Sequence, residues 1–277
     1  MNRRNFLASA LALAIFGCAP QPSDAAEPFR PTRFTVELRG SGPDVILIPG
    51  LTGSREVWSA TVAAVPGYRY HLVQVAGFAG LPAAGNAEGP VVAPLAEEIG
   101  RYIAAKRLER PAIVGHSMGG TVAMMIAART PDKAGRIMVV DMLPQPSGLF
   151  GSNAAAMGGL ADRLRGIAGT PGGRRLFESL LSSYATDRGS DPDVVGRAMH
   201  ELASTDLTAE LPRISAPLTI VYGGYRGARR TQADADYAAG YRAAPRARLV
   251  PIEGSGHMVM DDQPERFHTA LREFLTR

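Results

Sequence analysis

The sequence predicts an α/β fold in which a mostly parallel, doubly wound sheet carries helices on both faces. Three observations lead there. Short apolar runs alternate with helical patterns through most of the 277 residues, the rhythm of βα units. Most of the runs are continuously apolar rather than alternating, as strands covered on both faces must be. At Ala112 to Ala128 one such run passes through a turn boxed by glycines directly into a helical stretch, a strand, sharp turn and helix in sequence. The length suits one large domain with an inserted segment and is ample for a substantial core.

The first element is a leader. Arg3-Arg4-Asn5-Phe6-Leu7 precedes a short apolar segment from Leu7 to Gly17, and it resembles a twin-arginine export signal in the arginine pair and the Phe-Leu that follows. That segment is too short to serve as a permanent membrane anchor, so residues 1–17 are excluded from the fold. An ordinary secretory signal gives the same destination, the periplasm or cell envelope. Ile15-Phe16-Gly17-Cys18 resembles a lipoprotein processing box, with Phe16 a poor fit. If it is used, Cys18 carries the lipid, attaches the protein to a membrane, and starts a Pro- and Ala-rich tether over residues 18–32. If it is not, Ser23-Asp24-Ala25 offers small residues for cleavage near Ala25 or Ala26. Cys18 is the sole cysteine, which excludes an intramolecular disulfide.

Strands are then expected at Phe34 to Leu38, Val45 to Ile48, His71 to Val75, Ala112 to Val114, Ile137 to Val140, Leu218 to Tyr222 and Leu249 to Ile252. Helices are expected around Glu56 to Ala64, Val91 to Lys106, Thr121 to Arg129, Thr231 to Arg242 and Pro264 to Leu275. The interval from Leu143 to Ile214 breaks the rhythm. It holds no strand-like run, only Gly- and Pro-punctuated helical segments at Ala155 to Ile167, Arg174 to Tyr184 and Pro192 to Ala203. Residues 143–214 are therefore set apart from a core formed by 33–142 and 215–277.

Composition excludes several classes. The formal charge of +4 drops to +2 once Arg3 and Arg4 leave with the leader, and no Lys/Arg run with interleaved aromatics appears, so the basic balance is no argument for nucleic acid. There is no internal repeat, and none of the five histidines pairs with another at metal-ligand spacing.

The chemistry concentrates at Gly115-His116-Ser117-Met118-Gly119. A turn this tight leaves no room for side chains two positions before and after its apex, hence Gly115 and Gly119. Ser117 is lifted off the sheet edge, and the helix that follows aims unpaired N–H groups and a partial positive charge at the space above it. The pentapeptide fits the G-x-S-x-G nucleophile elbow, and the chain resembles the α/β-hydrolases. In that family a helical cap follows the strand counted as its sixth, here Ile137 to Val140, so the resemblance assigns 143–214 as a cap.

A serine hydroxyl is barely ionised near neutral pH and needs a base within reach. Of the histidines, His71 starts a strand, His116 adjoins the serine with its side chain expected to point away from the site, His200 falls in the cap and His268 in the last helix. His257, in Glu253-Gly254-Ser255-Gly256-His257 after the final strand, stands where the family carries its base. The acid is less direct. Many relatives place it after the family's seventh strand as Gly-x-x-Asp, but Tyr222-Gly223-Gly224-Tyr225-Arg226 puts Arg226 there. Asp141, ending the family's sixth strand, is an alternative that some members use, and Asp234 and Asp236 compete with it. The oxyanion hole implied by the resemblance takes one backbone N–H from Met118 and one from Leu51, in Pro49-Gly50-Leu51-Thr52-Gly53, where the family usually has His-Gly and this chain has Pro-Gly.

Other features are weaker. Gly77-Phe78-Ala79-Gly80 lines the pocket or simply turns the chain; Trp58 and the methionines Met118, Met124, Met125, Met142 and Met157 read as packing; Arg226, Arg229 and Arg230 are a solvated loop or a carboxylate clamp. The resemblance implies a serine hydrolase acting on a small ester-like acyl substrate without a cofactor. Carbon–carbon hydrolysis or acyl transfer on the same triad, and a non-catalytic relative that binds a ligand or partner, are the alternatives.

Overall fold

The computed structural model describes residues 29–146 and 189–276. The leader, Cys18, most of the tether, the segments Ala155 to Ile167 and Arg174 to Tyr184, and Met157 lie outside the described residues. Seven strands form one sheet: β1 (Phe34–Gly40), β2 (Asp44–Ile48), β3 (Arg69–Val75), β4 (Ala112–His116), β5 (Arg136–Val140), β6 (Leu218–Gly224) and β7 (Arg248–Glu253). Their order across the sheet is β1-β3-β2-β4-β5-β6-β7. Only β1 is antiparallel, pairing Phe34 with Val75 and Gly40 with Arg69; the other five pairings are parallel.

The uninterrupted apolar runs have a direct cause, since successive side chains point to opposite faces and both faces are covered. Ile46, Ile48, Ile113, Ile137 and Val139 enter one core cluster, while Val45, Leu47, Val114, Met138 and Val140 enter the other. The first cluster is closed by α2 (Val92–Ala105) and α3 (Met118–Arg129), the second by α1 (Ser59–Ala64) and α7 (Pro264–Thr276). Trp58 is fully buried against Phe267 in the second.

The expected helix over Glu56 to Ala64 is two pieces, a 3-10 turn at Arg55–Trp58 and then α1, and α3 starts at Met118 rather than Thr121 because the turn at Ser117 feeds straight into it. The short α6 (Val259–Asp262) was not expected from the pattern.

Between β5 and β6, the described residues include α4 (Pro192–Ser204). Its apolar face, Val194, Val195, Ala198, Met199 and Leu202, lies in the same cluster as α2, as do Leu207 and Leu211 beyond it. The described part of the interval expected as a cap, residues 189–214, is thus packed on the main core through this face. Polar groups lock the contact. The Glu201 carboxylate accepts from the backbone N–H groups of Val91, Val92 and Ala93 at 2.7, 2.8 and 2.8 Å, filling the unpaired donors and opposing the dipole at the start of α2. The Gly77 to Gly80 loop serves as a seat for the returning chain: Asp191 N–H donates to Gly77 O at 2.7 Å and Gly80 N–H to Gly189 O at 3.1 Å. At the other end, Thr32 and Arg33 donate their amides to Glu98, so the last residue of the expected tether is already docked on α2.

Candidate active site

The parallel strands β2, β4, β5 and β7 end at one rim of the sheet, and the loops leaving them bring together residues far apart in sequence. Ser117 follows β4 at φ 52° and ψ −122°, a conformation that a side chain adopts only at a cost of about 1–3 kcal/mol and only where its surroundings enforce it. The enforcement is steric and hydrogen-bonded. A Cβ on Gly115 would stand 2.0 Å from Gly119 O, and one on Gly119 would stand 2.3 Å from Ile48 O, so neither position accepts a side chain. Ser117 N–H donates to Val140 O at 2.9 Å, pinning the turn to β5. The serine is 7% exposed, and Met118 occupies the first position of α3, whose amide has no acceptor within its own helix. The loop after β2, which carries Leu51, passes close by: a Cβ on Gly50 would lie 3.1 Å from the Cβ of Ser117.

Asp141 follows β5, also with positive φ, 51°, its amide bonded to Val221 O at 2.7 Å. Its carboxylate is buried, yet both oxygens are engaged. Oδ2 accepts from His257 Nδ1 at 2.7 Å. Oδ1 accepts from Gly223 N–H at 2.8 Å and from the Tyr237 hydroxyl at 3.0 Å.

The structure thus joins His257 to Asp141 and not to the competing acids. Asp234 and Asp236 lie on α5 (Ala228–Gly240), where Asp234 accepts from the Tyr222 hydroxyl at 2.7 Å and Asp236 from Gln232 at 2.7 Å. Arg226 is exposed and lies over Gly254, 3.7 Å from where that residue's Cβ would be. The loop carrying His257 is itself held, with Gly256 N–H on Asp262 Oδ2 at 2.7 Å and the Ser255 hydroxyl on Ile252 O at 2.7 Å.

His116 departs from expectation. Rather than pointing away, its ring packs on that of His257 with centroids 4.7 Å apart, and its Nε2–H donates to His257 O at 3.0 Å. The ring is buried beside the elbow. Burial, with the neighbouring His257 adding to it, pushes its pKa down to about 3, so His116 is a neutral donor that holds the backbone of His257. The alternation of side chains would indeed turn His116 from the rim, but β4 ends there and the final loop folds over it.

Tyr237 is the residue that sequence reasoning missed. It sits one position beyond Asp236 on a helix with a weakly apolar pattern, and its 96-residue separation from Asp141 leaves no local signal. Burial and the Asp141 charge raise its pKa well above the ordinary phenol value, which keeps its proton available for donation. Among the described residues no group of three His, Cys, Asp or Glu is placed to hold a metal ion.

Known proteins share this architecture. Residues 45–270 match the sequence profile of the alpha/beta hydrolase family. The chain is 28% identical over 262 residues to a pimeloyl-[acyl-carrier protein] methyl ester esterase of Aeromonas hydrophila subsp. hydrophila, the alignment covering 87% of this chain and 98% of that protein. Among solved structures, a thermophilic esterase from Thermogutta terrifontis superposes with a TM-score of 0.68 at 22% identity, covering 88% of this chain and 93% of the other. A structure from a study of carboxylesterases of Nitrososphaera gargenis superposes with a TM-score of 0.71 at 18% identity, covering 88% and 94%. With an elbow serine on the rim of a sheet of this order and a profile match over most of its length, the chain belongs to the alpha/beta hydrolase family.

Proposed function

We propose that the protein is a serine hydrolase that cleaves a carboxylic ester through an acyl-enzyme. The observation that carries the reading is the buried Asp141 carboxylate 2.7 Å from His257 Nδ1, on the same rim as the elbow serine. A carboxylate can only accept there, so the proton sits on Nδ1 and the lone pair on Nε2. Nε2 then takes the Ser117 proton as the hydroxyl oxygen attacks the ester carbonyl, and Asp141 stabilises the imidazolium that forms. Backbone N–H groups of Leu51 and Met118 hold the oxyanion. The imidazolium protonates the leaving alcohol; water, deprotonated by His257, releases the acid and restores the serine. Serine rather than carboxylate at the elbow argues against displacement at a saturated carbon, the chemistry of dehalogenases and epoxide hydrolases.

Ester rather than amide or carbon–carbon cleavage is supported by the relatives, several of which carry esterase names. The Arg3-Arg4 leader supports action outside the cytoplasm, with attachment through Cys18 the further reading if the lipoprotein box is used.

The test is labelling of the purified protein by a fluorophosphonate probe beside Ser117→Ala, with p-nitrophenyl esters of short and long acyl chains assayed in parallel. The expected result is labelling and ester turnover that both vanish in the variant. Folded protein that neither labels nor turns over any ester overturns the reading in favour of a ligand-binding relative.

A further inference from the structure

Resting on that reading, we infer that Tyr237 is a positioning residue of the relay, whose phenol holds Asp141 so that its other oxygen faces His257. Asp141 is 2% exposed, and a charge withdrawn from water persists only if its lone pairs are matched by donors. Among the described residues, Oδ2 has one donor, His257, and Oδ1 has two, the Gly223 amide and the Tyr237 hydroxyl. Two donors on one oxygen fix rotation about the carboxylate's last bond and orient Oδ2 toward the imidazole. This matters because Asp141 sits at φ 51°, where its own backbone does not favour the placement.

The ring of Tyr237 is as firmly held as its hydroxyl. It stacks on Tyr222 at 4.2 Å and 17°, and Tyr222 is in turn held by its hydroxyl on Asp234. On the far side Tyr241 lies parallel at 6.4 Å, its hydroxyl donating to Met142 O at 2.6 Å. Both Tyr237 and Tyr241 are protonated in this setting, burial being the main cause. The helix that brings Tyr237 follows β6, the strand after which many relatives carry the acid itself. Here that part of the chain supplies a donor to an acid on β5 instead.

Among the described residues, the titratable groups near His257 and Asp141 include His116 from β4, Tyr237 and Tyr241 from α5, and Tyr225 and Asp262 beside the Gly256 turn. Of these, Tyr237 gives Asp141 a side-chain proton that the reaction does not use. Removing it leaves more of the carboxylate's charge for the imidazolium that forms on His257 during the reaction.

The experiment is Tyr237→Phe, which keeps the stacked ring, in the wild-type and Asp141→Asn backgrounds. Its readouts are p-nitrophenyl butyrate turnover against pH, fluorophosphonate labelling and thermal unfolding. The expected result is a fall in kcat/KM of about tenfold, an acidic limb displaced to higher pH, and almost no further loss when the substitution is added to Asp141→Asn. A normal rate and an unmoved limb overturn the inference, as does a loss of equal size in both backgrounds, which would mark a purely structural tyrosine. Failure of the wild type to label or turn over would instead strike the hydrolase reading, so the two failures are distinct.

Discussion

At the residue scale, the site is built from positions that the polypeptide would otherwise avoid. Ser117 and Asp141 both have positive φ, and each is held by a hydrogen bond from its own amide to the neighbouring strand. Such conformations persist when packing over-determines them, and the glycines around Ser117 are part of that. Gly115→Ala would set a methyl 2.0 Å from a backbone carbonyl oxygen that cannot rotate away. We expect a loss of about 3 kcal/mol or more in unfolding free energy, together with loss of fluorophosphonate labelling. A variant as stable and as readily labelled as wild type would show that the elbow is looser than its geometry indicates. Ser117 could be named from a local signature, glycines at fixed offsets, and His257 from the family resemblance, by its place after the final strand. Asp141 could be named but not separated from Asp234 and Asp236, since the choice depends on which carboxylate the fold turns toward a histidine 116 residues from Asp141.

At the scale of elements, charges at helix ends decide how the returning chain is seated. α4 begins with Asp191, whose carboxylate accepts from the amides of Asp193 and Val194 at 2.9 and 3.2 Å, a side-chain cap legible as Asp-Pro before an apolar pattern. Glu201, one of its last-turn residues, caps a different helix. α2 has no side-chain cap of its own, and Glu201 supplies one from more than a hundred residues away. Glu201→Gln keeps the shape but removes the charge and places an amide donor against backbone donors. We expect it to lower the unfolding free energy by about 1 kcal/mol, read as a reduced urea midpoint with unchanged slope. An unaltered midpoint would mean that water serves the start of α2 equally well.

At the scale of the whole molecule, three buried histidines resist protonation. His71, His116 and His268 all have lowered pKa values, burial being the first cause in each. His71 bonds to the Tyr102 hydroxyl and to Asp44, and burial lowers its pKa although the Asp44 carboxylate opposes the shift. In the unfolded chain the same imidazoles titrate at about 6.5, so below that pH the unfolded state binds more protons and stability falls. The loss begins at about 6.5 and, for His116, continues toward its folded value of about 3. Asp44 and Glu210, whose pKa values are lowered first by Arg69 and by Arg129 respectively, add loss of the same sign at the acid end of that range. Urea midpoints measured from pH 7.5 to pH 4 should therefore fall steadily, and a His116→Gln variant should show a shallower decline. A midpoint independent of pH across that span would contradict the neutral assignment of these rings.

Sequence alone determined the architecture, because burying a strand on both faces demands continuous apolar residues and a doubly wound sheet alternates them with helices. It also determined the elbow, because a turn that sharp admits only glycine at two fixed offsets. Tertiary structure decided what depends on distant groups meeting: that Asp141 rather than Asp234 or Asp236 faces His257, that His116 turns inward to hold the same loop, that residues 189–214 pack into the main core, and that Tyr237 completes the carboxylate's shell. Hydrogen bonds and burial are properties of proximity, and proximity across a hundred residues is set by how the sheet gathers its strand ends.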